Sequence, residues 1–223
     1  VTVEDPVEYQ MIGVGQVQVR EKIGLTFAAA LRSILRQDPD IIMIGEARDA
    51  ETIQIAIQAS LTGHLVFSTI HTNNAPATIT RLIDMGFEPF LIASSVTAIL
   101  AQRHVRKLCE HCKRKYDPPA NLLHALGITP QQAKQITFYQ AVGCSRCMNS
   151  GYAGRLPIFE IMQMTPGVAQ LVVQRADALK IKEQAIKDGM TLLLQDGISK
   201  IEAGVTTIEE VLSVASADFE PGE

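Results

Sequence analysis

The chain of 223 residues has no tryptophan, and aromatic residues make up only 5% of it. With 47% apolar residues it can still bury a substantial core, but that core has to be aliphatic, built from Ile, Leu, Val, Ala and Met. Positive charge is not in excess. A formal net charge of −4 argues against a nucleic-acid binder of the usual basic kind, so no nucleic-acid partner is expected. No run of about 18 apolar residues occurs, so no membrane-spanning helix is expected. A secretory signal is missing as well, since Val1 opens the chain and Glu4 and Asp5 follow at once. A chain that begins inside a strand-like run without methionine reads as a piece of a longer protein. Internal repeats and low-complexity tracts are absent.

What is present is a repeated pattern. Ile41-Ile42-Met43-Ile44-Gly45 is an apolar run of strand length that stops on Glu46, and Leu65-Val66-Phe67-Ser68-Thr69-Ile70 stops on His71. A third run, Val1-Thr2-Val3, stops on Glu4-Asp5-Pro6, with Glu8 just beyond. In open parallel sheets, ligands sit outside the carboxyl ends of the strands. Three strand ends carrying acids or a histidine therefore read as one site. Carboxylates there suit Mg²⁺, a hard cation, and a second carboxylate can orient or deprotonate an attacking water. Taken singly, each residue has a plainer reading: Asp5 or Asp49 as a turn former or helix cap, His71 as a satisfied polar residue.

Between these runs the pattern is helical. Thr26 caps a helix with Phe27, Leu31, Ile34 and Leu35 on one face, ending before Pro39. Asp49 opens a helix over about 50–62 that Gly63 stops, and Thr72–Pro76 launches another to about Met85. Strand and helix in this rhythm predict βαβ units and a parallel sheet. The alternation of Val14, Val17 and Val19 suits a hairpin arm or an edge strand, and Leu91–Gln102 reads as helix. After a basic segment over 103–150 come a strand at Leu156–Ile161 and helices at about 166–174, 177–188, 191–203 and 207–215. Thr207 and Glu210 have the spacing of a capping box, and the acidic tail after Asp218 reads as frayed.

Four cysteines stand as Cys109/Cys112 and Cys144/Cys147, a C-x2-C-x31-C-x2-C spacing. Without a secretory signal, disulfides are the weaker reading, and the spacing suits tetrahedral zinc with no open position. His111 could compete as a ligand, but four thiolates make it unnecessary. The nearby Arg103, Arg106, Lys107, Lys113, Arg114 and Lys115 form either a solvated face or a dock for an acidic partner or anionic headgroups.

VEDPVE at 3–8, LRQDPDIIMIGEARD at 35–49 and TGHLVFSTIHTNNA at 62–75 resemble, over nearly the whole chain, the secretion ATPase superfamily. These are the motors of type II secretion and type IV pilus assembly, RecA-like hexameric P-loop enzymes. The resemblance implies an α/β fold in three parts: a partial RecA-like core at 1–102, a four-cysteine zinc-binding subdomain at 103–155, and a return strand with a C-terminal helical bundle at 156–223. It implies ATP, Mg²⁺ and Zn²⁺ as cofactors. Glu8 is then the general base, Glu46 the Walker B acid reaching Mg²⁺ through water, and His71 the histidine near the γ-phosphate. Glu4 and Asp5 shape the acidic pocket. Arg81 is a weaker candidate for a phosphate or neighbour contact, and Arg48 could equally be a salt-bridge partner. The parent protein would be a cytoplasmic homo-hexamer, peripheral at the bacterial inner membrane against a polytopic platform protein. The four-cysteine insert favours assembly or secretion over retraction.

The phosphate-gripping G-x-x-x-x-G-K-[ST] loop does not occur in these residues. In the family that loop lies upstream of the acidic segment that VEDPVE at 3–8 resembles, the family's aspartate box. The chain alone is therefore expected neither to bind ATP tightly nor to turn it over, and to expose a sheet edge prone to pairing. Two rivals remain: a catalytically silent ring or zinc-scaffold subunit, and a zinc-ribbon module that touches nucleic acid.

Overall fold

The computed structural model describes residues 1–215, so the acidic tail after Asp218 lies outside the described residues. Along the chain run β1 (Thr2–Glu4), β2 (Gln16–Gln18), α1 (Phe27–Ile34), β3 (Ile41–Ile44), α2 (Ala50–Leu61), β4 (Leu65–Ser68), α3 (Ala75–Asp84) and α4 (Pro89–Ser95). Then follow β5 (Ala98–Leu108), β6 (Arg114–Lys115), α5 (Ala120–Ala125), α6 (Pro130–Ala133), β7 (Tyr139–Gln140) and β8 (Tyr152–Gln163). Four helices close the described chain: α7 (Pro166–Val173), α8 (Ala178–Lys187), α9 (Leu193–Glu202) and α10 (Ile208–Ala215). The described chain divides into two compact units, residues 1–99 with 163–188, and residues 100–162 with 189–215.

The first unit holds a four-stranded sheet in the order β2-β1-β3-β4, with β1–β2, β1–β3 and β3–β4 all paired parallel. Val19 and the β2 residue Val17 pack toward the core, but β2 pairs parallel to β1. The alternation in 13–20 therefore builds an edge strand and not a hairpin arm. One face of the sheet is covered. Val3, Ile42 and Ile44 are fully buried against Ala28, Leu31 and Ile34 of α1 and Ile55 and Ala59 of α2. Each such aliphatic side chain contributes about 1.5–3 kcal/mol on leaving water. The opposite face is open: Ile41 and its register partner Leu65 are about half exposed, as is Phe67 opposite Met43.

The helix starts follow their caps. Thr26, Asp49 and Asn74 accept the backbone N–H of Ala29, Thr52 and Ala77, and Asp49 also accepts the Thr52 hydroxyl at 2.7 Å. Asp49 is thus a helix cap, the plainer of its two readings. α3 enters with Pro76 in its first turn, and α4 with Pro89.

Leu91–Gln102 does not continue as helix. α4 ends at Ser95, and Val96 and Thr97 lead into β5. The two β-branched residues favour extended backbone, and from there the burial alternates with a period of two, bringing Ala101 and Val105 inside. A helical stripe read from Leu91 overlooks that change of period. β5 pairs with β8 as a two-stranded ribbon in the second unit, and β6 pairs with β7 antiparallel. β8 is twice as long as the run Leu156–Ile161 suggests, spanning 12 residues.

Candidate functional site at the strand ends

β3 and β4 stay zipped beyond their last strand residues. The Ala47 N–H donates to the Thr69 carbonyl at 3.0 Å, and the Thr69 hydroxyl donates to the Gly45 carbonyl at 2.7 Å. This carries two parallel neighbours outward together and delivers Glu46 and His71 side by side. On the other flank, the Gly45 N–H donates to Val3 O at 2.7 Å. A methyl group at Gly45 would stand 3.1 Å from that oxygen and 3.3 Å from Glu4 Cα, so the close approach of β1 needs glycine.

Glu46 is the hub. Its Oε1 lies 2.6 Å from His71 Nε2, and its Oε2 lies 2.5 Å from the Arg48 guanidinium. A carboxylate is acceptor-only, so the proton of this contact sits on His71 Nε2. Arg48 is the main reason that the Glu46 carboxyl is held below the usual glutamate range, with His71 adding to it against the cost of burial. The guanidinium is correspondingly raised by Glu46 first, then by the charges of Asp5 and Glu21. Asp5, Glu21, Glu46 and Arg48 therefore share one electrostatic neighbourhood. The Glu46 side chain is 18% exposed, whereas that of His71 is 88% exposed. The acid is held in place and the imidazole faces solvent.

Glu4 behaves differently. It is buried, and its Oε1 accepts from the Thr2 hydroxyl at 2.5 Å and from Gln16 Nε2 at 2.9 Å. Thr2 is the leading cause, and Gln16 the next, of a Glu4 pKa below the ordinary value; the backbone N–H of Glu8 contributes in the same direction. The Glu4 carboxylate is thus turned into the sheet and ties β1 to β2. Glu8 is exposed and meets Glu4 through its backbone. Arg81 is exposed in the last turn of α3, and among the described residues no ion pair joins it to Glu46 or to Glu4. The structure thus brings Glu46, His71 and Arg48 into contact and sets the charge of Asp5 beside them. It gives Glu4 a structural bond network. Thr2, Gln16, Thr69 and Glu21 were not foreseen. No local pattern marked the first two, since Gln16 comes opposite Thr2 only through the β1–β2 register.

In the second unit the four cysteine Sγ atoms lie within 4.8 Å of one another. Three of their separations are 4.0, 3.8 and 3.8 Å, and all four thiols are free. A tetrahedral zinc with bonds of about 2.3 Å needs sulfur–sulfur edges of about 3.8 Å, so the residues present fit that ion. Burial pushes the Cys112 thiol up to about 11. Burial also acts on Cys147, but N–H groups of Cys144 and Gly151, which donate to its sulfur at 3.2 and 3.3 Å, bring it down to about 6. His111 lies outside this cluster and contacts Arg146 at 2.8 Å.

The basic run beside the cysteines is largely engaged within its own unit. Arg106 pairs with Glu210 at 2.5 Å and lies 4.1 Å over the Tyr152 ring, and Lys113 and Lys107 flank Glu110. The capping box predicted at Thr207 is accordingly half made. The Thr207 hydroxyl accepts the Glu210 N–H at 3.3 Å, but the Glu210 carboxylate goes to Arg106.

Comparison with known proteins decides the lineage. Residues 1–213 match the family described as Type II/IV secretion system protein. The chain belongs to this family. It is 49% identical over 221 residues to the type IV pilus assembly ATPase PilB of Myxococcus xanthus, covering 97% of this chain and 38% of that relative. It is 49% identical over 213 residues to the type II secretion system protein HxcR of Pseudomonas aeruginosa, covering 96% of this chain and 41% of that relative. The chain thus spans about two fifths of the length of these family members. Among solved structures it is similar to the pilus retraction motor PilT with bound ADP, with a TM-score of 0.68, 26% identity, and coverage of 96% of this chain and 51% of that one. The α/β fold with its parallel sheet is therefore a secretion-family fold. No helix among the described residues is long and apolar enough to cross a membrane.

Proposed function

We propose that this chain is the strand-end half of an ATP-hydrolysing site in a type II secretion or type IV pilus assembly motor. The observation that carries this reading is the 2.6 Å contact between Glu46 and His71 at adjacent carboxyl ends of a parallel sheet. The family membership supplies the reaction class. The core is then RecA-like, and the phosphate-gripping loop belongs to residues other than these 223.

Each residue has a role in that reading. MgATP, when bound, supplies a γ-phosphate whose developing charge has to be met by fixed groups. Glu46 offers the hard carboxylate that orients a metal-bound water. His71, exposed and already protonated at Nε2, is placed to donate to a phosphate oxygen. Glu8 accepts the proton of the attacking water, and Asp5 holds that acidic rim together with Arg48. Arg81 is left for a phosphate or a neighbouring subunit. Glu4 positions Glu8 through its bond to the Glu8 N–H. Closure of ring subunits about the nucleotide would supply the motor's swing. The parent is then a hexamer in the cytoplasm, working against a platform protein of the inner membrane.

The four-cysteine cluster in this reading holds structural zinc. Its donor set is all sulfur, closed, and mostly buried, which leaves no position for a reacting water. The assembly and secretion relatives favour those directions of work over retraction.

Two titrations test the proposal. The chain by itself, lacking the lysine loop, is expected to show no micromolar affinity for MgATP by calorimetry. A longer protein that joins it to such a loop is expected to bind MgATP and hydrolyse it. Micromolar binding by the chain alone would refute the first part. A longer protein that binds but does not hydrolyse would favour a silent ring subunit.

A further inference from the structure

The elbow between α9 and α10 rests on the segment that carries the first cysteine pair. Its two successive carbonyls are both taken by residues adjacent to cluster cysteines. The Leu108 N–H, just before Cys109, donates to Val205 O at 2.9 Å, and Lys113 Nζ, just after Cys112, donates to Gly204 O at 2.9 Å. The Thr206 hydroxyl donates to Arg106 O at 2.9 Å, and Arg106 binds Glu210 in the first turn of α10. The Tyr139 ring also lies on Gly204, where an added methyl would come within 2.8 Å, and Lys113 stands 5.0 Å over that ring. Val211 of α10 seats against Gly197 of α9, where a methyl would come within 2.4 Å, so the two helices form one packed pair. The turn from Cys109 to Lys113 is closed by N–H bonds of 3.2 and 3.0 Å to Cys109 O, and among the described residues Cys109, Cys112 and Cys147 form a buried cluster with Cys144 packed against it.

We propose that the four-cysteine cluster governs the order of the α9–α10 pair, so that gain or loss of its metal is read out in those helices. The cluster fixes the two ends of the Cys109–Cys112 turn. That turn presents Leu108 N–H and Lys113 Nζ at the spacing which the elbow carbonyls require. An emptied cluster no longer ties the four sulfurs to one centre, the turn loosens, and the elbow loses both bonds together. The parallel sheet of the first unit has its own aliphatic core and is independent of this step. The inference uses the zinc reading only for the identity of the metal.

Hydrogen–deuterium exchange of the full chain tests this, with zinc content measured on the same samples. Stripping the metal with a chelator is expected to speed amide exchange over 193–215 about tenfold, the equivalent of about 1.4 kcal/mol. Exchange in α1 and α2 is expected to stay as it was. Lys113→Met should loosen 193–215 with zinc content unchanged, because it removes the bond to Gly204 O without touching a cysteine; unchanged exchange there would show that the bond does not carry the coupling. A chain that neither carries nor takes up zinc ends the zinc reading. Cys112→Ser then replaces the chelator, and the same loosening of 193–215 supports the coupling. Unchanged exchange over 193–215 in whichever arm applies overturns it, and so does equal loosening of α1 and α2.

Discussion

The strand-end rim and the cysteine cluster are both groups of converging reactive side chains, and they are built in opposite ways. At the rim, Glu46 is held while His71 and Arg48 lie mostly in solvent, on an edge that the sheet leaves open. In the cluster, three of the four cysteines are buried and the sulfurs face one another. An open set of hard donors can exchange partners with a ligand. A closed set of soft donors holds its own chain together. The same contrast appears in two glutamates of the first unit. Glu4 and Glu46 both follow apolar runs, but Glu4 is buried in bonds to Thr2 and Gln16, and Glu46 meets the exposed side chains of Arg48 and His71.

The largest effect that would break this comparison is loss of a cysteine. Metal binding in small structural zinc modules is worth about 10–16 kcal/mol. Cys112→Ser is therefore expected to abolish zinc retention and to collapse cooperative unfolding of the second unit, read by zinc content and calorimetry. A full-strength second transition without zinc would show that the closed cluster is not a structural centre.

A smaller effect is expected at the rim. Gly45→Ala places a methyl 3.1 Å from Val3 O, a backbone neighbour with little room to retreat. Overpacking of this kind costs about 1–3 kcal/mol, measurable by denaturant unfolding. No loss of stability would mean that β1 can stand off from β3 without consequence.

The smallest is a pH effect in the second unit. Burial works against the Glu210 carboxylate, but Arg106 outweighs it and lowers its pKa from the ordinary 4.5. A lowered carboxylate contributes stability above its unfolded value and loses it as pH falls through the folded one. The Arg106–Glu210 contact should therefore weaken only below about pH 4.5, with faster exchange at the start of α10. Arg106→Gln should weaken that pH dependence, leaving the part that the backbone N–H of residue 106 supplies.

Much of the first unit was legible because its signals are local. Apolar runs of strand length, caps at Thr26 and Asp49, and the turn over 72–76 each act within a few residues. The convergence of Glu46 and His71 followed from parallel topology. What stayed hidden depended on distant partners. The turn of Glu4 toward Gln16 and the use of Arg106 on Glu210 join residues 12 and 104 positions apart. Nothing local distinguishes a glutamate that will be buried from one that will face a ligand. The strand β5 was missed for a different reason, since Leu91–Ile99 carries enough apolar residues to fit a helix until burial shows the period of two.

The central claim is that the open rim acts on a nucleotide through Glu46. Single-turnover ATP hydrolysis by a longer protein carrying both this chain and a lysine loop tests it most directly. With Glu46→Gln, nucleotide binding is predicted to persist while phosphate release falls about a hundredfold or more, the scale on which positioned catalytic groups act. Release at the unsubstituted rate would contradict the account.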